Sequence, residues 1–182
     1  MRAVDWSAIE AKEEGIYSDP APGAYVAVIC GVEDKEDKEY LLIQWDYAEG
    51  EYKGDNQDTF DRAGFWPAKL FKSYKPKALP FFKAFKTALE ESNPGYQFRA
   101  DQLQAMVGRR FGVVTGEEEY QANDGTVKKR LYVAQTRSLE AIRKGDYTVP
   151  ALKKLKGDAP AVQANAWASA AQSAEEDGEL PF

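Results

Sequence analysis

The residue types best suited to chemistry lie in one basic and aromatic stretch near the middle of the chain. Residues 62–86 contain seven lysine or arginine side chains and no aspartate or glutamate, and aromatic rings are interleaved with them. A single nucleic-acid strand needs cations for its phosphates and flat rings for its bases, so the stretch predicts both kinds of contact. The alternative is that the rings are core and the lysines are a solvated face. The candidates here are Trp66, Lys69, Phe71, Lys72, Tyr74 and Lys75.

A second group of candidates lies farther along the chain. Residues 128–156 hold nine basic and two acidic side chains. In the segment after Asn123-Asp124-Gly125, polar and apolar residues alternate, which places Lys128, Arg130 and Tyr132 on the face opposite Leu131 and Val133. Ordinary surface charge is the alternative interpretation. The candidates of this group are Arg109, Arg110, Lys128, Arg130 and Tyr132.

Composition argues against an enzyme. The chain has no histidine and one cysteine, Cys30, so Ser-His and Cys-His nucleophiles and imidazole metal sites are excluded, and so is a disulfide framework. The acidic clusters at 46–51 and 117–119 match no magnesium motif and are interpreted as solvated loops. We therefore predict no catalytic residues, no metal and no cofactor. With no apolar leader and no membrane-length apolar run, a cytoplasmic protein without membrane contact is expected.

The last residues of the chain differ sharply from the rest. Residues 157–174 are rich in Ala, Gln and Ser and predict a flexible linker, because they offer nothing that could bury a core. Behind them, acidic residues precede Leu-Pro-Phe. The Phe182 ring can fill an apolar pocket of a partner protein, while an arginine of the partner binds the C-terminal carboxylate of Phe182. The predicted partner-binding residues are Glu175, Glu176, Asp177, Glu179, Leu180, Pro181 and Phe182.

The elements that must position these groups follow from periodicity and turn signals. Strands are predicted at 25–32, 40–47, 65–74, 111–117 and 127–137, a loop follows the second strand, and helices are predicted at 79–92 and 138–144. Val26, Val28, Cys30 and Val32 alternate onto one face, while Trp45 and Tyr47 share a core parity with Leu41 and Ile43. This order predicts a mainly β OB-fold over 20–156, a five-stranded barrel with a helix between strands 3 and 4, behind an N-terminal extension (1–19).

Two resemblances bear on function. The tip Glu176–Phe182 resembles the C-terminus of bacterial single-stranded DNA-binding proteins, and this resemblance implies recruitment of replication, recombination and repair enzymes. Segments 39–41, 48–51, 91–96 and 116–120 are similar to small proteins of phages and prophages of Gram-positive bacteria, some of them identified as single-stranded DNA-binding proteins near recombination genes. That similarity implies a role in phage replication or recombination, inside a bacterial host.

The sequence thus predicts a protein that binds single-stranded DNA without sequence preference and recruits enzymes through its tip. Two alternatives stay open at this stage. One is a protein-interaction adaptor with an OB-like barrel and no DNA affinity, and the other is a nuclease or annealing enzyme. The oligomeric state, including a homo-oligomer, the binding-site size, the choice between DNA and RNA and the identity of the partner are not determined by the residues.

Overall fold

The computed structural model describes residues 20–155. The predicted N-terminal extension, linker and acidic tip lie outside these residues, and with them the prediction of a flexible tail. The described part is mainly β. Its elements are β1 (Ala24–Lys35), β2 (Tyr40–Tyr47), α1 (Asp55–Ala63), β3 (Lys69–Ser73), α2 (Leu79–Ser92), β4 (Arg110–Gln121), β5 (Val127–Arg137) and α3 (Leu139–Lys144), with short 3-10 segments at Glu36–Lys38, Pro76–Ala78 and Ala100–Met106.

The five strands form one antiparallel sheet in the order β3-β2-β1-β4-β5, with α2 between β3 and β4 in the chain. The predicted strand count and the position of this helix are confirmed. Closure into a barrel is not seen, since β3 and β5 are the two edge strands and no ladder joins them within residues 20–155. No helix among the described residues is long and apolar enough to cross a membrane.

One face of the sheet carries the core. Ile43, Trp45 and Tyr47 alternate along β2 and are buried, as predicted for Trp45 and Tyr47. In β1 the core side chains are Ala27 and Ile29, each at most 1% exposed, so the core does not lie on the face predicted to carry Val26, Val28 and Cys30. A β-bulge between Ile29 and Gly31 then reverses the alternation, which is why Val32 packs against the core again.

The helix α2 has the bounds predicted from its apolar periodicity. Phe85 and Leu89 are fully buried and Phe82 packs beside them, which gives the expected three- and four-residue spacing. Leu79 has the same three-residue spacing from Phe82, but as the first residue of the helix it is 48% exposed. The helix ends at Asn93, whose side-chain amide donates to the carbonyl oxygens of Leu89 and Arg110.

The helix α1 replaces part of the loop predicted after β2. Its composition is polar, so apolar periodicity gave no sign of it. Asp46, 4% exposed, holds its N-terminus: Oδ1 accepts hydrogen bonds from the backbone N–H groups of Tyr47 (2.7 Å) and Asn56 (3.1 Å), and Oδ2 accepts from Gln57 (3.0 Å). A carboxylate that satisfies the first free N–H groups of a helix stabilises it by hydrogen bonding and by the helix dipole.

The short helix α3 begins at the predicted Ser138 cap, whose Oγ accepts from the Ala141 N–H at 3.3 Å. It packs on the side of the sheet away from the core, at Gly112 of β4. A Cβ atom built on Gly112 would lie 2.2 Å from Ile142 Cγ1, so the absence of a side chain at this position is what allows the contact. Val26 and Val114, next to Gly112 on the paired strands, are both buried although they face away from the main core.

Candidate nucleic-acid interface

On the face of the sheet opposite the core, α3 packs at Gly112 of β4. The register pairs Leu42 with Phe71 and Gln44 with Lys69, so these four side chains share the face away from the core. Lys69 is exposed, and the other three are half-buried. We call these four residues the outer patch. The outer patch contains two of the predicted candidates, the ring of Phe71 and the ammonium of Lys69, which are two residues apart on β3.

Phe71 is held in place by a second ring. Tyr40 of β2 meets it edge-on, with ring centroids 5.5 Å apart and planes at 68°. Tyr40 itself is 3% exposed, so it acts as a fixed support rather than as a surface residue. Within residues 20–155, the ammonium of Lys69 makes no side-chain hydrogen bond or ion pair, although its backbone belongs to the β2–β3 ladder. The patch thus combines a braced ring with a cation that is available to an anionic ligand.

Trp66, which was predicted as a stacking candidate, is buried in the described fold. Its side chain is 7% exposed, and its indole N–H donates to the carbonyl oxygen of Trp45 at 3.0 Å. Phe60 of α1 lies 5.7 Å away between ring centroids. Pro67 follows directly, and β3 begins only at Lys69, not at residue 65. Trp66 is therefore an anchor for the chain that enters β3.

Lys72 lies on the core side of β3, away from the outer patch. Its register partner is Leu41, a core residue. Its ammonium is 5.2 Å from the centroid of the Phe85 ring and 3.5 Å from Thr136 Oγ1 of β5. No carboxylate pairs with it among the described residues. Desolvation lowers the pKa of Lys72 to about 8. Lys72 therefore does not share a face with Lys69 and Phe71, and its predicted contact with phosphate stays a prediction.

The last two candidates of the stretch lie at the end of β3, outside the outer patch. Tyr74 packs against the core, and its hydroxyl donates to Asp34 Oδ1 at 2.9 Å. Burial, together with this hydrogen bond, raises the pKa of Tyr74 to about 12. Lys75 is half-buried, and its backbone N–H donates to Ser73 Oγ at 3.2 Å. Neither residue presents an open ring or cation on the face that carries Phe71.

The basic candidates of β5 meet carboxylates on β4 or in the β4–β5 turn. Arg130 forms a half-buried ion pair with Glu118 at 2.9 Å and stacks over Tyr120, 5.0 Å from its centroid. Lys128 lies 3.7 Å from Asp124 in the hairpin turn. Residues 117–119, predicted as a solvated loop, are part of β4, and that prediction is wrong. Their register opposite 129–131 explains the pairing, since opposite charges on facing positions stabilise a sheet.

Tyr132 was predicted to be exposed and is instead covered. It faces Gly116, where a Cβ atom would come 2.6 Å from Pro150 and 2.9 Å from the Tyr132 ring. The ammonium of Lys153 lies 3.8 Å from the centroid of the same ring. The Lys153 backbone bridges to β4, donating to the Glu117 carbonyl oxygen (3.0 Å) and accepting from the Glu119 N–H (2.9 Å). Residues 150–155 therefore occupy the surface where a base was predicted to stack.

Arg109 and Arg110, at the start of β4, have different partners. Arg109 stacks over the Tyr96 ring at 4.9 Å and donates from Nε to the Ala105 carbonyl oxygen at 3.3 Å. Arg110 forms an ion pair with Glu49 at 3.0 Å, with both side chains about half exposed. Both guanidinium groups thus have protein partners before any ligand binds. An exposed ion pair of this kind is weak, so a phosphate can compete for Arg110.

Sequence reasoning missed Leu42 and Gln44 as parts of the outer patch. Both stand at even positions of β2, the parity opposite the buried Leu41, Ile43 and Trp45, and this alternation could have identified them. Within residues 20–155, no group of three or more Asp, Glu, Cys or His side chains is arranged to hold a metal ion. Comparison of the chain with protein-family models and with curated proteins gave no match.

Proposed function

We propose that this chain binds single-stranded DNA without sequence preference, with the outer patch as the centre of the site. The observation that carries the proposal is the strand order β3-β2-β1-β4-β5 with α2 between β3 and β4. This is the connectivity of an OB-fold opened between its third and fifth strands, and OB-folds bind oligonucleotides on the β2–β3 face. Phe71 and Lys69 stand on that face.

The contact between Lys72 and Thr136 supports the barrel part of the proposal. It joins the two edge strands through side chains, so the sheet is curled enough for β3 and β5 to approach each other. We therefore propose an OB-type barrel that is open along this seam. The absence of any matching cluster of metal ligands in the described residues gives no support to the nuclease alternative. The proposed protein acts as a binding module, without catalysis.

We expect Phe71→Ala to weaken binding of oligo-dT about tenfold, because stacking on a half-buried ring contributes roughly 1–2 kcal/mol per base. Lys69→Gln should lower the slope of log affinity against log salt by about 0.7, the value for one phosphate contact on a single strand. Fluorescence anisotropy over a range of salt concentrations measures both quantities.

The matched controls are Phe65→Ala and Lys77→Gln, which alter an exposed ring and an exposed lysine outside the outer patch. Both should leave affinity and salt slope unchanged. Thermal unfolding of Phe71→Ala must show that the fold persists. If folded Phe71→Ala and Lys69→Gln proteins bind oligo-dT like the unaltered chain, the outer patch is not the site.

The adaptor function remains the second candidate because of one observation. Arg130, Arg110 and Lys128 all pair with carboxylates, Glu118, Glu49 and Asp124 respectively, which neutralises much of the charge that was predicted to meet phosphates. An adaptor would need no free cations on this surface. Failure of oligo-dT to bind at low salt, with the protein folded, would favour the adaptor over the DNA-binding function.

The proposed recruitment of replication and recombination enzymes rests on residues 175–182, outside the described residues. We expect Phe182→Ala to abolish capture of an enzyme that recognises such tips, because the ring that fills the partner's pocket is lost while every acidic side chain remains. Affinity for oligo-dT should stay unchanged. A pull-down beside an anisotropy titration measures both, and full capture by the Phe182→Ala protein would exclude this role for the tip.

A further inference from the structure

A groove with a volume of about 490 Å³ runs between α2 and the region where β5 passes into α3. Alanine side chains form much of its floor. Polar side chains form its walls: Lys83, Thr87 and Glu91 from α2, Thr136 and Arg137 from β5, and Asp146 from beyond α3. None of these residues belongs to the outer patch, and the groove is not part of the proposed DNA-binding face.

The groove is positive at one end and negative at the other. Lys83 and Glu91 are eight residues apart on α2, which separates them by about 12 Å along the helix axis. Leu139 lies at the end of α2 where Glu91 stands, because its N–H donates to Ser92 Oγ at 3.0 Å. Thr136 lies nearer the first half of α2, since Lys72 contacts both Thr136 and Phe85. Lys83 and Thr136 therefore lie toward the same end of the groove, which we call the positive end because of the Lys83 ammonium.

The ammonium of Lys72 supplies a second positive charge near this end of the groove. Thr136 lines the groove, and the ammonium of Lys72 lies 3.5 Å from its hydroxyl oxygen. Within residues 20–155, Lys72 has no carboxylate partner, and neither does Lys83. An ammonium that is removed from water without a counterion is strongly unfavourable, and the lowered pKa of Lys72 reflects the same desolvation. An anion at Thr136 would relieve this.

We propose that the end of the groove formed by Lys83 and Thr136 binds a phosphate group, with the ammonium of Lys72 acting from behind Thr136. Lys83 supplies a charged donor, and the threonine hydroxyl donates a neutral hydrogen bond, a combination that suits a tetrahedral oxyanion. Arg137 also lines the groove, but it follows Thr136 on the opposite face of β5, and its Nε donates to Gln135 Oε1 at 3.1 Å. The carboxylate of Glu91 disfavours anion binding at the other end. The phosphate comes either from solution or from the terminus of a nucleic-acid strand.

Titration with inorganic phosphate at pH 7 and constant ionic strength, followed by calorimetry or by ³¹P line broadening, tests the site directly. We expect saturable binding to the full chain. Lys83→Gln and Lys72→Met should each weaken it at least tenfold, Thr136→Val should weaken it as well, and Lys77→Gln should leave it unchanged. Unfolding midpoints show that each variant is folded.

Oligo-dT with and without a 5′-phosphate separates the two sources. If the terminal phosphate raises affinity and Lys83→Gln removes that gain, the ligand is a strand terminus; if only inorganic phosphate responds, the ligand is free phosphate. Absence of saturable binding in both arms, or binding that Lys83→Gln does not alter, overturns the proposal. Phosphate binding by a chain that fails to bind oligo-dT would contradict the proposed function alone.

Discussion

Lys72→Met is expected to stabilise the protein at pH 7 by about 2–3 kcal/mol. The shift of the lysine pKa from 10.5 to about 8 corresponds to roughly 3 kcal/mol of penalty for burying the charged form, at 1.36 kcal/mol per pKa unit. Methionine keeps the length of the side chain and removes the charge, and replacing a buried ion by an apolar side chain of similar shape is often stabilising. The lost contacts with Phe85 and Thr136 reduce the gain.

The pH dependence distinguishes this explanation from a simple gain in packing. Because the pKa of Lys72 is lowered in the folded state, the unfolded chain binds more protons between pH 8 and 10.5, and the contribution of this residue to stability rises with pH across that window. The advantage of Lys72→Met should therefore be constant below pH 8 and shrink between pH 8 and 10.5. Burial raises the pKa of Cys30 to about 11, with an opposite effect that both proteins share.

Urea unfolding of both proteins at pH 7 and pH 10 measures this difference. A Lys72→Met protein that is less stable than the unaltered chain at pH 7, or that keeps the same advantage at pH 10, would contradict the assignment of a charged, buried lysine. A residue whose burial shifts its pKa and lowers the stability of the protein is often found at a functional site. The anion site proposed for the groove beside Thr136 offers such a function.

The second large effect is expected at Asp46. Asp46→Ala should destabilise the protein by at least about 3 kcal/mol, because three backbone N–H groups lose their acceptor and an unsatisfied buried donor costs about 1–3 kcal/mol. Two of these N–H groups belong to the first turn of α1. Loss of the carboxylate should therefore release the helix from the end of β2 as well as lowering the overall stability.

Asp46→Asn offers a graded comparison, since its remaining oxygen can still accept from Tyr47 and Asn56 while its amide faces the N–H of Gln57. We expect a loss smaller than that of Asp46→Ala. Asp61→Ala, an exposed acidic position of the same helix, should change the free energy of unfolding by less than about 0.5 kcal/mol. Equal stabilities of the Asp46→Ala and Asp61→Ala proteins in urea unfolding would show that the carboxylate does not hold α1.

The sequence predicted the elements that have strong periodicity. The bounds of α2 and β2 are as predicted, and β5 with its Asn123-Asp124-Gly125 turn is confirmed, because alternation and turn chemistry are local properties. The helix α1 was missed since its residues are polar and its stability depends on Asp46, nine positions before its first residue. A long-range cap leaves no periodic signal.

The candidate site was harder to predict, because composition does not show which face a side chain takes or what lies beside it. Lys69 and Phe71 lie on one face of β3. Lys72 lies on the other face, because neighbouring residues of a strand point to opposite faces. The charges of Arg130 and Lys129 are balanced by Glu118 and Glu117, which are distant in sequence and adjacent only through the β4–β5 register. Counting charges along the chain cannot reveal such pairs.

The contact between Gly112 and Ile142 has a consequence for how these two positions can change over evolution. A methyl group at position 112 would overlap the Ile142 side chain and crowd the Arg137 carbonyl oxygen, so alanine there is unfavourable on its own. A smaller residue at position 142 would remove the larger of these overlaps. Substitutions at the two positions should therefore show positive epistasis, and in related chains their side-chain volumes should covary inversely.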